Sequence, residues 1–198
     1  MKNPSIQRIG IYGGTFDPVH LGHLIVANIV REELRLDQIW FIPAYYHILK
    51  DLESISPSYH RLNMLKLAVQ DNPDFEVMDT ELKKETITRT IDTITELKEE
   101  NPGTEFYFLL GADALNSFDR WYQYSKILEK VKLVTFGRPP FELNDVGKRF
   151  ISYTDVVHTP MLEISSTEIR TRVKEGKSIK YFVTPSVEEY IYKHHLYK

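Results

Sequence analysis

Apolar, β-branched runs alternate along this chain with segments whose apolar residues recur at helical spacing, and that alternation restricts the fold more than any other feature. It predicts an α/β domain built on a mostly parallel sheet. "RIGIYGG" reads as a buried first strand ending in glycines, and "QIWFIP" as a second, stopped by Pro43. "FEVMDT" is a further strand, "EFYFLLGAD" the clearest central one, and "KLVTFGRP" another that ends in a Gly-Arg-Pro turn. A weaker strand is predicted around 150–153. Between them, Leu21 to Glu33 has helical spacing, with Leu24, Ile25, Asn28, Ile29 and Glu32 along the face expected to pack on the first strand. A second helix is opened by Ser56 as cap and Pro57 in the first turn. A third covers 90–100, with Ile91, Ile94 and Leu97 facing inward. "ISSTEIRTRVKEG" and a terminal helix opened by Thr184-Pro185 complete the pattern. The segments 44–56 and 137–149 are the longest loops, and long loops in compact domains are often functional.

No linker rich in Gly, Ser or Pro divides the 198 residues, of which 42% are hydrophobic and 27% charged, so one packed domain is expected. A net charge of -3 gives no general attraction to nucleic acid, so phosphate chemistry must come from locally placed cations. The absence of cysteine excludes disulfides, thiolate zinc sites and a cysteine nucleophile, and fits a reducing compartment. No apolar stretch is long enough for a signal peptide or a membrane span, and a cytoplasmic location is expected. Whether copies assemble into a homo-oligomer is left open.

The stretch "GGTFDPVHLGH", Gly13 to His23, carries the densest chemistry. Gly13 and Gly14 let the backbone leave the first strand in a conformation closed to most residues and leave room for a ligand. After Asp17-Pro18 a helix begins near His20 or Leu21, so its free N–H groups and dipole make an anion site. His20 and His23, three apart, share one helical face and can both donate to an oxyanion. Zinc binding would need a third ligand, and the metalloprotease spacing is absent. Neither a P-loop nor a G-x-G-x-x-G fingerprint is present. In "ISSTEIR", Ile164 to Arg170, Ser165, Ser166 and Thr167 open a helix with Arg170 in its first turn, offering hydroxyls, amides and a guanidinium to one anion. A simple Ser/Thr cap beside a solvated arginine is the alternative.

"GGTFDPVHLGH" resembles the H-x-G-H element of the nucleotidylyltransferase superfamily, and "ISSTEIR" resembles its second motif. From Arg8 onward the sequence is similar to the bacterial nicotinate-nucleotide adenylyltransferase family, with "SYHRLNMLKLA", "LLGADALNSFDRW" and "FGRPPF" as further matching segments. The resemblance implies a Rossmann-like, mostly parallel sheet with helices on both faces, and one domain over 1–198 whose helical part from about 164 completes an ATP site. It implies adenylyl transfer from ATP to nicotinate mononucleotide in NAD biosynthesis, with Mg²⁺ carried mainly by the ATP phosphates and no protein metal cage. His20, His23 and Arg170 would be catalytic. ATP would also meet Gly13, Gly14, Thr15, Phe16, Gly111, Asp113, Gly137, Arg138, Ile164, Ser165 and Ser166. The mononucleotide would meet Thr15, Phe16, Lys50, Thr90 and Trp121, the last stacked on the pyridine. Two departures stand out. "PAYYHILKD" keeps Lys50 but has Leu49 where the family has histidine, and "TRTIDT" has Arg89 in place of a tyrosine, adding charge attraction to a carboxylate. The alternatives are a relative acting on nicotinamide mononucleotide or another phosphorylated acceptor, and a nucleotide-binding protein without catalysis.

Overall fold

Every residue from Phe106 to Leu110 is buried, which an extended segment achieves when both its faces are covered. The computed structural model describes residues 6–45, 55–84, 86, 88–137, 142–160 and 162–198. Its strands are β1 (Arg8–Gly14), β2 (Gln38–Pro43), β3 (Phe75–Val77), β4 (Glu105–Gly111), β5 (Lys132–Gly137) and β6 (Thr154–His158). They form one sheet in the order β3-β2-β1-β4-β5-β6, and each neighbouring pair is parallel. The helices are α1 (Leu21–Glu33), α2 (Ser58–Val69), α3 (Thr80–Lys83), α4 (Thr90–Glu100), α5 (Ala112–Leu115), α6 (Tyr124–Lys130), α7 (Asp145–Phe150), α8 (Ser166–Lys174) and α9 (Pro185–Lys193).

Alternation along β4 divides the interior. Phe106, Phe108 and Leu110 face a core shared with Ile91, Ile94 and Leu97 of α4 and Ile127 of α6. Tyr107 and Leu109 face the other, built with α1, α2, α8 and α9 through Ala27, Met64, Ile169 and Ile191. Helices thus cover both faces, as a doubly wound sheet requires. Strands are added to the sheet in opposite directions on either side of the β1–β4 boundary, and open parallel sheets bind ligands in the crevice at the carboxyl ends of such a strand pair. Here those ends are Gly13–Gly14 and Gly111. Among the described residues no helix is long and apolar enough to cross a membrane.

Several expectations need correction. The buried face of α1 runs through Gly22, Val26, Ala27 and Val30; Leu24 and Ile29 pack at its edge, while Asn28 and Glu32 hydrogen-bond to each other at 3.1 Å in solvent. α2 starts at Ser58 with Pro57 in the cap position, because the Ser56 backbone is held elsewhere: its N–H donates to Asp17 and its carbonyl accepts from Arg61. Ile151–Tyr153 form a 3₁₀ turn and the edge strand begins one residue later. The third strand is only Phe75–Val77, since Asp79 already occupies the cap of α3.

Candidate active site

The turn that leaves β1 uses its glycines for space. Neither Gly13 nor Gly14 has a positive φ; the left-handed residue is Phe16, at φ 49, an unusual conformation for a bulky side chain of the kind that concentrates at functional sites. Its buried ring lies under Gly14, where a Cβ would stand 2.9 Å from Cζ. At Gly13 the nearest heavy atom to such a Cβ is 4.0 Å away, so that position stays open.

His20 caps α1 and its imidazole stacks on His23, with ring centroids 3.6 Å apart. The His20 backbone N–H donates to His23 Nδ1 at 3.2 Å, which makes Nδ1 an acceptor and assigns the ring proton of neutral His23 to Nε2. Gly22 makes the arrangement possible, since a Cβ there would lie 3.0 Å from His20 Nδ1 and 3.8 Å from Ile164 Cβ. The glycine thus makes room for the stacked His20 ring, while the segment before α8 lies at ordinary contact distance.

Burial lowers His20 to about 4, and burial followed by the neighbouring His20 holds His23 well below the ordinary imidazole range. Both rings are neutral near pH 7, so they are donors without net charge until an anion arrives and favours their protonation. A depressed folded pKa means that the unfolded chain takes up the proton first. Stability is accordingly full above about pH 6.5 and falls as the pH drops toward about 4. For His20 the loss is on the order of 3 kcal/mol. Urea unfolding at pH 7.5 and 4.5 checks it: His20→Asn should lose distinctly less than the parent on acidification, and equal losses would assign the acid sensitivity to other groups.

The second motif meets the first at Asp17-Pro18. Ser166 Oγ donates to the Pro18 carbonyl at 2.8 Å and Arg170 Nη1 to the Asp17 carbonyl at 2.8 Å. Arg170 also donates to Thr167 Oγ1 at 3.3 Å, leaving other N–H groups of its guanidinium without a partner among the described residues. Ser165 caps α8 by accepting from Glu168 N–H at 3.1 Å; its own proton is free to donate. The Ser166 proton is spent on Pro18, so of these two hydroxyls only that of Ser165 keeps a proton to offer. In α1 the Leu21 N–H is likewise taken, by the Phe182 carbonyl at 2.9 Å.

Asp17 joins these pieces, and sequence reading passed over it as a turn residue. It is 2% exposed. Its carboxylate accepts from Tyr197 OH at 2.6 Å and from Ser56 N–H at 3.1 Å. Beside it, Arg61 donates to the carbonyls of Thr15 and Ala44 at 2.8 Å, of Ser56 at 3.1 Å and of Tyr45 at 3.2 Å. Burial pushes the Arg61 guanidinium down while Asp17 pushes it back up.

A cavity of about 580 Å³ opens at the carboxyl ends of β1 and β4, a size suited to a small-molecule ligand. Gly13, Gly14, Thr90, Asp113 and Trp121, all expected at the site, line it. Trp121 is half-buried against Phe118 and edge-on to Phe108. Asp113 is exposed, its carboxylate lying over Gly111, where a Cβ would stand 2.5 Å from Oδ1. Phe16 links cavity to histidines: its ring lies under Gly14 and edge-on to His23, 5.1 Å away. Gly137, at φ 145, ends β5, and its carbonyl accepts from Thr159 N–H at 3.0 Å. Lys50 and Arg138 lie outside the described residues. The cavity is also lined by Arg89, expected to attract a carboxylate, and by Glu81, Arg120 and Tyr122, which strand and helix patterns do not place at a site. Among the described residues no set of three His, Asp or Glu side chains could cage a metal ion.

The cytidylyltransferase-like family matches residues 11–172. A probable nicotinate-nucleotide adenylyltransferase of Dehalococcoides mccartyi is 42% identical, over 96% of this chain and 97% of its own. The nicotinate-nucleotide adenylyltransferase of Bacillus subtilis is 37% identical, over 98% of this chain and all of its own. Among solved structures, the Plasmodium falciparum nicotinic acid mononucleotide adenylyltransferase complexed with NaAD superposes with a TM-score of 0.79 at 25% identity, covering 96% of this chain and 97% of that one.

Proposed function

The chain belongs to the cytidylyltransferase-like family and, within it, to the nicotinate-nucleotide adenylyltransferases, and from that premise we propose that it adenylates nicotinate mononucleotide with ATP in NAD biosynthesis. The observation that carries the reading is the junction at Asp17-Pro18, where the openings of α1 and α8 meet and Phe16 and Gly14 lead on to a cavity of nucleotide size.

A phosphate oxygen of the mononucleotide attacks the α-phosphorus of ATP in line; the new P–O bond forms as the bond to the β-phosphate bridging oxygen breaks, and pyrophosphate departs. The nucleophile is already ionised, so the protein needs no covalent intermediate or strong base, and catalysis reduces to positioning and charge stabilisation. His23 Nε2–H and the His20 ring donate to the α-phosphate region. Arg170, Ser165 and the amides that open α8 take the β- and γ-phosphates. Mg²⁺ would be brought in on the nucleotide rather than caged by protein carboxylates, and would supply charge neutralisation beside Arg170 and the two histidines. Trp121 offers the pyridine a flat face, and Asp113 accepts from ribose hydroxyls.

The test is pyrophosphate release with ATP and either nicotinate or nicotinamide mononucleotide, compared as kcat/KM. Preference for nicotinate mononucleotide supports the reading, and absence of turnover with both removes it. Trp121→Ala is expected to raise KM for the mononucleotide about ten- to hundredfold, the range of aromatic stacking on a base, with KM for ATP within twofold. Equal losses for both substrates would make Trp121 a packing residue.

A further inference from the structure

Resting on the assignment of the mononucleotide to the cavity, we infer that Arg89, held flat against Tyr122, is the residue that selects a pyridine bearing a carboxylate over one bearing a carboxamide. Both residues line the cavity together with Trp121. The Arg89 backbone is fixed at the cap of α4, its carbonyl accepting from Asp92 N–H at 2.9 Å and Thr93 N–H at 3.2 Å. The guanidinium carbon lies 3.8 Å from the centre of the Tyr122 ring. Stacking of that kind occupies the face of the guanidinium and leaves its N–H edge for planar, paired hydrogen bonds.

The chemistry of that edge decides the ligand. Arg89 makes no ion pair or side-chain hydrogen bond among the described residues, so its donors are uncommitted. A guanidinium has donors only, and a carboxylate can accept two of them in a parallel pair with full charge complementarity. A carboxamide presents one acceptor and an NH₂ that repels the second donor. Tyr122 is half exposed. Arg120 lines the same cavity without an aromatic partner among the described residues, so it adds positive field but no fixed orientation. Glu81, the half-buried acid of the cavity, has one oxygen engaged by Thr93 Oγ1 at 2.8 Å.

The experiment measures kcat/KM for nicotinate and nicotinamide mononucleotides in the parent enzyme and in Arg89→Gln, Arg89→Lys, Arg120→Gln, Tyr122→Ala and Tyr122→Phe, with calorimetric binding of both nucleotides alongside. Arg89→Gln should lower the preference for the nicotinate form about ten- to hundredfold, the scale of a charge-assisted pair. Arg89→Lys should recover only part of it, because a point charge lacks the fork. Tyr122→Ala should lower the preference and Tyr122→Phe should keep it. Arg120→Gln should weaken both nucleotides alike. An unchanged ratio in Arg89→Gln, or a ratio that collapses in Arg120→Gln instead, overturns the inference while leaving the adenylyl-transfer reading in place. Absence of turnover in the parent enzyme would remove that reading, and the calorimetric ratio in Arg89→Gln would then decide the inference.

Discussion

His23→Ala is expected to lower kcat by about 10²–10³, the cost of losing one preorganised donor to a developing oxyanion, while KM for ATP changes by only a few-fold. The split follows from what the ring does. His23 is neutral and its Nδ1 is occupied by the His20 N–H, so in the proposed mechanism Nε2–H would meet the charge that builds on the α-phosphorus oxygens without reorganisation. A donor that strengthens its bond in the transition state shows in kcat more than in KM. Loss of the ring also removes the stack on His20 and the edge contacts with Phe16 and Tyr12, so circular dichroism and thermal unfolding belong beside the kinetics. A folded variant with near-parental turnover would exclude His23 from the chemistry.

Arg61→Ala is expected to cost about 3–5 kcal/mol of folding free energy, the scale for removing one member of a buried ionic network. Arg61 is 1% exposed. Its removal strips donors from four carbonyls and leaves Asp17 without its cationic neighbour. Arg61→Met fills most of the volume and leaves the same carbonyls unpaired, so it should recover little. Urea unfolding reads both, and a loss below about 1 kcal/mol would mean that water replaces the guanidinium at those carbonyls. The Thr15 carbonyl is among those held, so surviving enzyme should also show a reduced kcat.

Local pattern was sufficient where one element decides its own environment. Ile91, Ile94 and Leu97 recur at helical spacing and are buried; the apolar run of β4 is central. The helix face of α1 was misread because Gly22 and Ala27 are small: close approach of the helix to its neighbours, not side-chain bulk, selects the buried stripe. The edge strand was placed too early because Phe150 is buried as the last residue of α7, so its apolar character belongs to helix packing. The histidine pair and Arg170 were legible as motifs, but their junction was not. Asp17 acts through partners 39, 153 and 180 residues away, and no periodicity encodes such separations. Arg89 and Tyr122 were invisible as a pair for the same reason, since their contact joins the start of α4 to the turn before α6.

The clasp between Tyr197 and Asp17 has a consequence for manufacture. The ribosome produces the histidine turn early, yet the hydroxyl that holds its acid arrives 180 residues later. A chain cut before that tyrosine keeps both motifs but leaves the Asp17 carboxylate without the hydroxyl that orients it.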